Sequence, residues 1–191
     1  MPLSKDTIDF VLMRGGTSKG VFLREQDVPE DRQALTRLLL DLFGSPDRRQ
    51  IDGLGGADKL TSKAAIIGKA KRPDSDVTYL FGQVGTVAPE VDFNLNCGNL
   101  TAAVGVYAVE QGLVAPEEGR TLVRVHNLNT DCMVHVRVPT SGGKVQTKGD
   151  LEIGGVPGTG APIELDFSRA VGAITGLSLI HISEPTRLRR I

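Results

Sequence analysis

One segment of the sequence, residues 98–111, is apolar on every side when it is drawn as a helix. A helix without a polar face must be buried all round, and Gly112 directly after it is a typical helix stop. The other elements of the fold therefore have to enclose this helix. The apolar residues of the segment are Leu100, Ala102, Ala103, Val104, Val106, Tyr107, Ala108 and Val109.

The rest of the chain predicts short strands and one amphipathic helix. The 23 glycines and 10 prolines favour tight turns over a helix bundle. Residues 30–43 form the amphipathic helix, because leucines recur with helical spacing and Gly44 follows them. Apolar runs predict strands at residues 8–13, 21–24, 64–68, 77–84, 121–126, 133–138 and 162–167. We therefore expect an α+β fold in which short strands wrap around one buried helix, with one amphipathic helix outside.

Composition excludes several classes of function. Lys plus Arg (22) and Asp plus Glu (23) nearly cancel, and aromatic residues are only 4% with no Trp, so we expect no nucleic-acid partner. No apolar run approaches about 18 residues, so we expect no membrane span and a cytoplasmic chain. Two cysteines without a C-x-x-C pair predict neither a disulfide scaffold nor a metal site.

The C-terminal segment differs from the rest. Residues 177–191 read LSLIHISEPTRLRRI, which looks like the translation of a sequencing adapter. We therefore expect a domain over residues 1–176 followed by a non-native or artefactual tail over 177–191. An ordinary basic tail is the alternative.

The first candidate motif is MRGGTSKG, residues 13–20. Gly15 and Gly20 have the spacing of a phosphate-binding P-loop, but Val21 stands where that motif needs Lys. Two interpretations stay open. The segment is either a plain hairpin turn or a turn whose main-chain N–H groups and Thr17 and Ser18 hydroxyls bind an anion.

The second candidate is IDGLGGADKLTSK, residues 51–63, where Asp58 replaces the third glycine of a dinucleotide-binding motif. Lys63 ends this segment at the start of an apolar strand, beside Thr61 and Ser62. Burial there disfavours the charged ammonium, which makes Lys63 a candidate base. A solvated lysine at a strand end is the alternative, and the residue types alone favour it.

The third candidate is NLNCGNLTAAVG, residues 94–105. Cys97 lies at the start of the buried helix, where unpaired N–H groups and the helix dipole stabilise a thiolate and also bind carboxylates. A buried, inert thiol is the alternative. Cys132 lies in a predicted strand and is interpreted as structural, and His126 and His135 as surface or packing residues.

These motifs together resemble one known family. MRGGTSKG, QIDGLGGADKLTSK (50–63), YLFGQV (79–84), NCGN (96–99) and VRVHNLNT (123–130) occur in the order typical of the PrpF family. That family includes 2-methylaconitate cis-trans isomerase and 4-oxalomesaconate tautomerase, and it has the diaminopimelate epimerase fold. The segment GGVPGTGAPIELDF (154–167) looks more like the tautomerase branch.

The resemblance implies a cofactor-independent proton shift on a small unsaturated di- or tricarboxylate. It assigns Lys63 and Cys97 as catalytic, and it places further residues in segments that hold substrate carboxylates. Those residues are Thr17, Ser18, Ser62, Asn96, Gly98 and Asn99.

Members of the family have two similar lobes with the site between them. The resemblance therefore implies an N-terminal lobe whose partner would be a missing C-terminal lobe. We expect this half alone to leave Lys63 largely solvated and to turn over a trace of substrate at most. The sequence leaves the oligomeric state open, and a homo-oligomer is compatible with it.

Overall fold

The computed structural model describes residues 7–168, 179–183 and 188–189 of the chain. The first half contains β1 (Val11–Gly15), β2 (Ser18–Arg24), α1 (Arg32–Phe43), β3 (Lys63–Lys69), β4 (Val77–Val84), β5 (Val91–Asp92) and α2 (Gly98–Glu110). The second half contains β6 (Gly119–Asn127), β7 (Cys132–Ser141), β8 (Lys144–Val145), β9 (Leu151–Glu152), β10 (Thr159–Gly160), β11 (Ile163–Phe167), β12 (Leu179–Ser183) and β13 (Leu188–Arg189).

Within the described residues, one mixed sheet forms most of the fold. Its strand order is β12-β11-β7-β6-β4-β3-β2-β1-β13, with β5 added to β4 and β8 to β7. The β2–β3 and β4–β6 pairs are parallel and the other pairs are antiparallel. β9 and β10 form a separate pair. The parallel pairs require the chain to cross over, and the α1 segment makes the first crossover.

Helix α2 is enclosed by this sheet, as the sequence predicts. Every residue from Leu100 to Val109 is buried, and α2 contacts β1, β2, β3, β6, β7, β8 and β11. Alternate residues of each strand face it, so Ala65 and Ile67 of β3 join the core around α2, which we call the inner core. The inner core also contains Phe22, Tyr79, Phe81, Val123, Val125, Val134 and Val136.

Helix α1 packs on the opposite face of the sheet. Asp31 begins it by accepting a hydrogen bond from the Ala34 N–H (2.7 Å), and Gly44 ends it in the left-handed conformation (φ 68°). Leu35, Leu39 and Phe43 form its buried stripe. They pack on Val21, Leu23, Ala64 and Ile66 in a second cluster. The expected α+β architecture, with one buried and one amphipathic helix, is thus confirmed.

The structure differs from the sequence predictions at element ends, at the C-terminus and in four two-residue strands that were not predicted, β5, β8, β9 and β10. The first strand was expected over residues 8–13 and lies at Val11–Gly15. The expected boundary between residues 176 and 177 lies outside the described residues. Of the segment 177–191, the structure describes the backbone of β12, paired with β11, and of β13, paired with β1. That this segment is non-native stays a prediction. No helix in the described part of the chain has the length and apolar character needed to cross a membrane.

A candidate active site at the start of the buried helix

Cys97 occupies the residue position immediately before α2. Its backbone is extended (φ −129°, ψ 98°), its thiol makes no capping hydrogen bond, and its side chain is half-buried. The Cys97 carbonyl accepts hydrogen bonds from the Thr101 N–H (3.0 Å) and hydroxyl (2.9 Å). First-turn N–H groups of a helix have no acceptor within the helix. The thiol therefore lies beside main-chain donors that suit a negative charge.

The β1–β2 turn packs against this end of α2. Gly15 pairs with Ser18, and Gly16 takes a positive φ (52°) at the first of the two loop positions, where type II′ hairpin turns place glycine. The Ser18 hydroxyl lies 3.8 Å from the Cys97 sulfur, and the Asn99 side-chain amide donates to the Thr17 hydroxyl (2.9 Å). MRGGTSKG is therefore a hairpin turn, and the turn also lines the helix end that suits an anion.

Lys63 is buried at the start of β3, with 7% of its surface exposed. Its ammonium donates to Gln83 Oε1 (2.8 Å) and lies 5.1 Å from the centre of the Phe81 ring. The Gln83 amide in turn donates to the Ser62 carbonyl (2.9 Å), which fixes its oxygen toward Lys63. The interpretation of Lys63 as a solvated strand-end residue is wrong, and so is the expectation that this half leaves it largely solvated. The neighbouring strand β4 supplies the cover.

Lys63 and Cys97 face the same side of the sheet. Lys63 pairs with Gly20 of β2, and a Cβ on Gly20 would lie 3.0 Å from the Leu100 side chain of α2. Ser18, which contacts Cys97, lies two residues before Gly20 and so faces the same side of the strand. The structure therefore brings the two expected catalytic residues to one side of the sheet at the α2 N-terminus.

The glycine-rich loop before β3 folds around the side chain of Gln50. Gln50 Oε1 accepts hydrogen bonds from the Ala57 N–H (2.9 Å) and the Ser62 hydroxyl (2.7 Å). A Cβ on Gly55 would lie 2.1 Å from the Gln50 side chain, so a larger residue there would have to displace the Gln50 carboxamide. Ser62 is fully buried. Its hydroxyl is engaged by Gln50 in this structure, and its contact with a substrate stays a prediction.

A second group of residues, which the sequence analysis did not single out, positions Cys97. The side chain of Asn127 is fully buried and donates to Asn96 Oδ1 (2.8 Å). The same oxygen accepts the Cys97 N–H (2.8 Å). Asn127 Oδ1 also accepts the N–H groups of Asn129 (2.9 Å) and Thr130 (3.1 Å). The carboxamide of Asn96, expected to hold substrate, is thus part of the support of Cys97.

The side chain of Asn129 makes the hydrogen bonds to β4 that a neighbouring strand would otherwise make. β4 pairs with β6 up to Tyr79 and with β5 from Gln83, which leaves a gap at Phe81 on that edge. The Asn129 side chain accepts the Phe81 N–H (2.7 Å) and donates to the Phe81 carbonyl (2.8 Å) and the Phe93 carbonyl (2.7 Å). It therefore ties β4 to the segment that leads to Cys97. Asparagines spaced two apart after a strand, in HNLNT, are the signal that could have indicated this role.

The remaining candidates, His126 and Cys132, contact residues of the short connection between β6 and β7. His126 is buried, and its Nε2 lies 2.7 Å from Asp131 Oδ1, so it is a packing residue as expected. Cys132 begins β7 and contacts the Thr130 carbonyl (3.3 Å). Among the described residues, no cluster of three or more His, Cys, Asp or Glu side chains could hold a metal ion.

The architecture is shared with solved isomerase and epimerase structures. The structure of a methylitaconate-delta-isomerase superposes with a TM-score of 0.90 at 41% identity, over 96% of this chain and 92% of that chain. A hydroxyproline epimerase from Agrobacterium vitis shares the fold at a TM-score of 0.53 and 12% identity, over 86% of this chain and 43% of that chain. The chain therefore has an epimerase-like α+β fold.

Within this class the chain belongs to the PrpF family, whose model matches residues 5–181. The 3-methylitaconate isomerase of Eubacterium barkeri is 50% identical over 88% of this chain and 44% of that protein. The 4-oxalomesaconate tautomerase of Pseudomonas putida is 46% identical over 93% of this chain and 49% of that protein. The resemblance that the motifs indicated is confirmed. The chain spans about half the length of these curated relatives.

Proposed function

We propose that this chain supplies the catalytic residues of an isomerase that moves a proton on a small unsaturated di- or tricarboxylate without a cofactor. The observation that carries the proposal is the joint placement of Lys63 and Cys97 on one side of the sheet, beside the α2 N-terminus. Main-chain donors there suit a carboxylate or an enolate oxygen. The isomerase and tautomerase names of the relatives support the same reaction class.

The surroundings of the two residues suggest how they divide the proton transfers. The Gln83 oxygen and the face of the Phe81 ring both stabilise an ammonium on Lys63. The start of α2 stabilises a thiolate on Cys97. We therefore assign Cys97 as the base and Lys63 as the proton donor. The sequence suggests Lys63 as the base, because burial alone favours the neutral amine. The hydrogen bond to Gln83, which the sequence does not reveal, favours the ammonium instead.

The proposed reaction has two proton transfers. The Cys97 thiolate removes a proton from a carbon next to a carbonyl or conjugated carboxylate, which leaves an enolate held by main-chain donors and by Thr17 and Ser18. The Lys63 ammonium then gives a proton to a different atom of the conjugated system. Transfer of a proton from the Cys97 thiol to the Lys63 amine through solvent restores both groups, and the substrate has gained and lost one proton.

Among substrates, we propose keto–enol tautomerisation of 4-oxalomesaconate, with cis-trans isomerisation of 2-methylaconitate as the alternative. The segment GGVPGTGAPIELDF (154–167) supports the tautomerase branch, and the tautomerase relative matches 93% of this chain. Assays of 4-oxalomesaconate, 2-methylaconitate and 3-methylitaconate side by side would rank the three substrates. A higher kcat/KM for either alternative would replace the proposed substrate and leave the reaction class unchanged.

A carboxylate-binding lobe without catalysis is the second candidate, because the chain spans about half of its relatives. Titration calorimetry of the 191-residue chain with aconitate, run beside a turnover assay, separates the two. Binding without turnover favours the binding lobe for this chain alone. A chimera of residues 1–168 with the second half of the Pseudomonas putida tautomerase then tests whether these residues can support catalysis.

Substitutions in that chimera test the two assigned roles. We expect Cys97→Ser and Lys63→Ala each to lower kcat by about 10²-fold or more, the usual worth of a general acid or base. Lys63→Arg should lower kcat to a similar extent, because arginine keeps the positive charge but does not release its proton near neutral pH. Cys132→Ser is the matched control and should leave kcat unchanged. Full activity in both Cys97→Ser and Lys63→Ala would remove the assignment.

A further inference from the structure

Two asparagines of the motif VRVHNLNT contact the surroundings of both catalytic residues, and the proposed reaction gives them no role. Asn127 ends β6 and has none of its surface exposed. Asn129 lies two residues further on, in the connection to β7. Asparagine is usually exposed, and a buried carboxamide is tolerated where its hydrogen bonds are made. The partners of these two side chains therefore show what the asparagines hold in place.

At one end, Asn127 reaches Cys97 through Asn96. The Asn127 amide donates to Asn96 Oδ1 (2.8 Å), and the same oxygen accepts the Cys97 N–H (2.8 Å). Asn127 Oδ1 accepts the N–H groups of Asn129 (2.9 Å) and Thr130 (3.1 Å), so the amide nitrogen is the group that faces Asn96. Asn96 thus presents its oxygen to two donors, and Cys97 is held in the extended conformation that precedes α2.

At the other end, Asn129 reaches Lys63 through Phe81. The Asn129 side chain accepts the Phe81 N–H (2.7 Å) and donates to the Phe81 carbonyl (2.8 Å), which fixes the main chain of that residue. The Phe81 ring has its centre 5.1 Å from the Lys63 ammonium. Because the Asn129 N–H is also bound by Asn127 Oδ1, the contacts at the two ends form one continuous set.

We propose that Asn127 and Asn129 are positioning residues: their side chains form one hydrogen-bonded bridge between the two catalytic residues. The bridge runs from the Cys97 N–H to the main chain of Phe81, whose ring faces Lys63. It keeps the sulfur and the ammonium at a fixed separation, which two proton transfers on one substrate require, since a misplacement of about 1 Å can cost about 10²-fold in rate. The inference deepens the proposed function, on which it rests only for the use that catalysis makes of this separation.

Alanine substitutions of the two asparagines test the bridge in the intact 191-residue chain. Alkylation of Cys97 by iodoacetamide and acetylation of Lys63 by acetic anhydride are followed against pH by peptide mass mapping. Asn129→Ala removes no hydrogen bond of Cys97. We nevertheless expect it to lower the Cys97 rate at pH 7 about threefold, because the thiol moves away from the main-chain donors that favour its charged form. The pH profile should move to higher pH, and the wild-type and variant rates should converge at alkaline pH, where the thiol is fully ionised.

The same variant should raise the Lys63 rate at pH 7 about threefold, because the Phe81 ring shifts away from the ammonium that it stabilises. The double variant Asn127→Ala/Asn129→Ala distinguishes one bridge from two separate supports. Either substitution breaks a single bridge, so the double variant should lower the Cys97 rate no further than the stronger single variant does. Two separate supports would give the product of the two single effects.

Asp76→Asn is the matched control. It weakens the hydrogen bonds that Arg124 donates to Asp76 in the same sheet, so it is expected to lower stability without touching the bridge. The rates of Cys97 and Lys63 should therefore stay at their wild-type values. An unchanged Cys97 rate in folded Asn129→Ala, multiplied effects in the double variant, or the same rate changes in Asp76→Asn would overturn the proposal.

A second pair of variants leaves Asn127 and Asn129 intact and so does not depend on the folding of their alanine variants. Asn96→Ala, at an exposed position, removes the acceptor of the Cys97 N–H and should lower the Cys97 rate at pH 7 about threefold. Phe81→Leu removes the ring but keeps the main-chain bonds to Asn129, so the Lys63 rate should rise and the Cys97 rate should not change. If Asn96→Ala leaves the Cys97 rate unchanged, or if Phe81→Leu lowers it, the proposal fails. No substrate is used, so this failure is distinct from the absence of isomerase activity.

Discussion

At the scale of single residues, the site depends on where side chains are absent as well as where they are present. Gly15 lies so close to α2 that a Cβ would be 2.2 Å from the Asn99 carbonyl oxygen. The main chain of the β1–β2 hairpin therefore packs directly against the main chain of α2. The sequence predicted a glycine-rich turn here, but the reason for glycine at this position is a contact with a residue 84 positions later in the chain.

Gly15→Ala should therefore destabilise the protein and disturb the site together. The added methyl group has to displace backbone, which costs about 1–3 kcal/mol in a packed environment. Urea unfolding measures the loss, and the alkylation rate of Cys97 reports on the site. Gly154→Ala is the control, because a Cβ there meets nothing within 4 Å. Equal stability of the two variants would show that the hairpin can move away from α2 without cost.

Lys63 and Cys97 show which parts of a site the sequence can predict. Cys97 was placed at the helix start because the apolar pattern after it is local and continuous. The burial of Lys63 was missed, because it depends on Gln83 and Phe81 of the adjacent strand, about 20 residues away. Strand register sets such contacts, and residue types alone do not reveal register.

At the scale of elements, both helices were predictable and the shortest strands were not. α1 and α2 have strong helical patterns and glycines at or just after their ends, and the structure ends them within a residue of the prediction. β5, β8, β9 and β10 have two residues each. Their existence follows from the strands beside them, not from a periodicity of their own.

The contribution of Asn129 to the sheet can be tested by substitution. Its side chain fills the gap in the β4 edge at Phe81, so Asn129→Ala leaves a main-chain N–H and carbonyl without partners. We expect a loss of about 2–3 kcal/mol in the free energy of unfolding. Asn94→Ala is the control, because Asn94 is exposed and its side-chain amide bonds only to nearby Asp92. If the free energies of unfolding of Asn129→Ala and Asn94→Ala lay within about 0.5 kcal/mol of each other, the usual range for surface changes, Asn129 would not have this role in the sheet.

At the scale of the whole molecule, the order of strands in the sheet was beyond the sequence analysis. Two parallel pairs join segments that are distant in the chain, such as Val77 with Val125. Their pairing reflects how the strands together cover α2, which no single strand encodes. The resemblance to a known family supplied the architecture that the residue pattern alone left open.

Acid stability is also a property of the whole molecule. Among the described residues, five carboxyl groups have a pKa below their usual range in the folded state, namely Asp47, Asp74, Asp76, Glu118 and Asp166. Groups of this kind contribute stability above their unfolded pKa, and the contribution is lost as the pH falls through the folded pKa. We expect the Tm to be level above about pH 5 and to fall between about pH 5 and pH 3.

Of the five carboxyl groups, we expect Asp76 to contribute most to the fall of the Tm at acid pH. Burial raises its pKa, but hydrogen bonds from the side chain and backbone N–H of Arg124 lower it by more. Asp76→Asn should cost about 1–2 kcal/mol at pH 7 and less near pH 3, where the wild-type carboxylate is also protonated. Asp74→Asn, whose exposed carboxylate binds Arg72, is the control. Parallel Tm–pH curves for Asp76→Asn and the wild type would refute this ranking.

The contact between Gly15 and Asn99 joins the β1–β2 hairpin to the start of α2 through main chain. Since polypeptide backbone sets the spacing of the two elements, exchanges at Thr17 or Ser18 alter the polar groups beside the helix start without altering that spacing. Side chains on this turn can thus be exchanged while the architecture is preserved. The turn offers protein engineers two positions, Thr17 and Ser18, at which to vary the chemistry of the helix start.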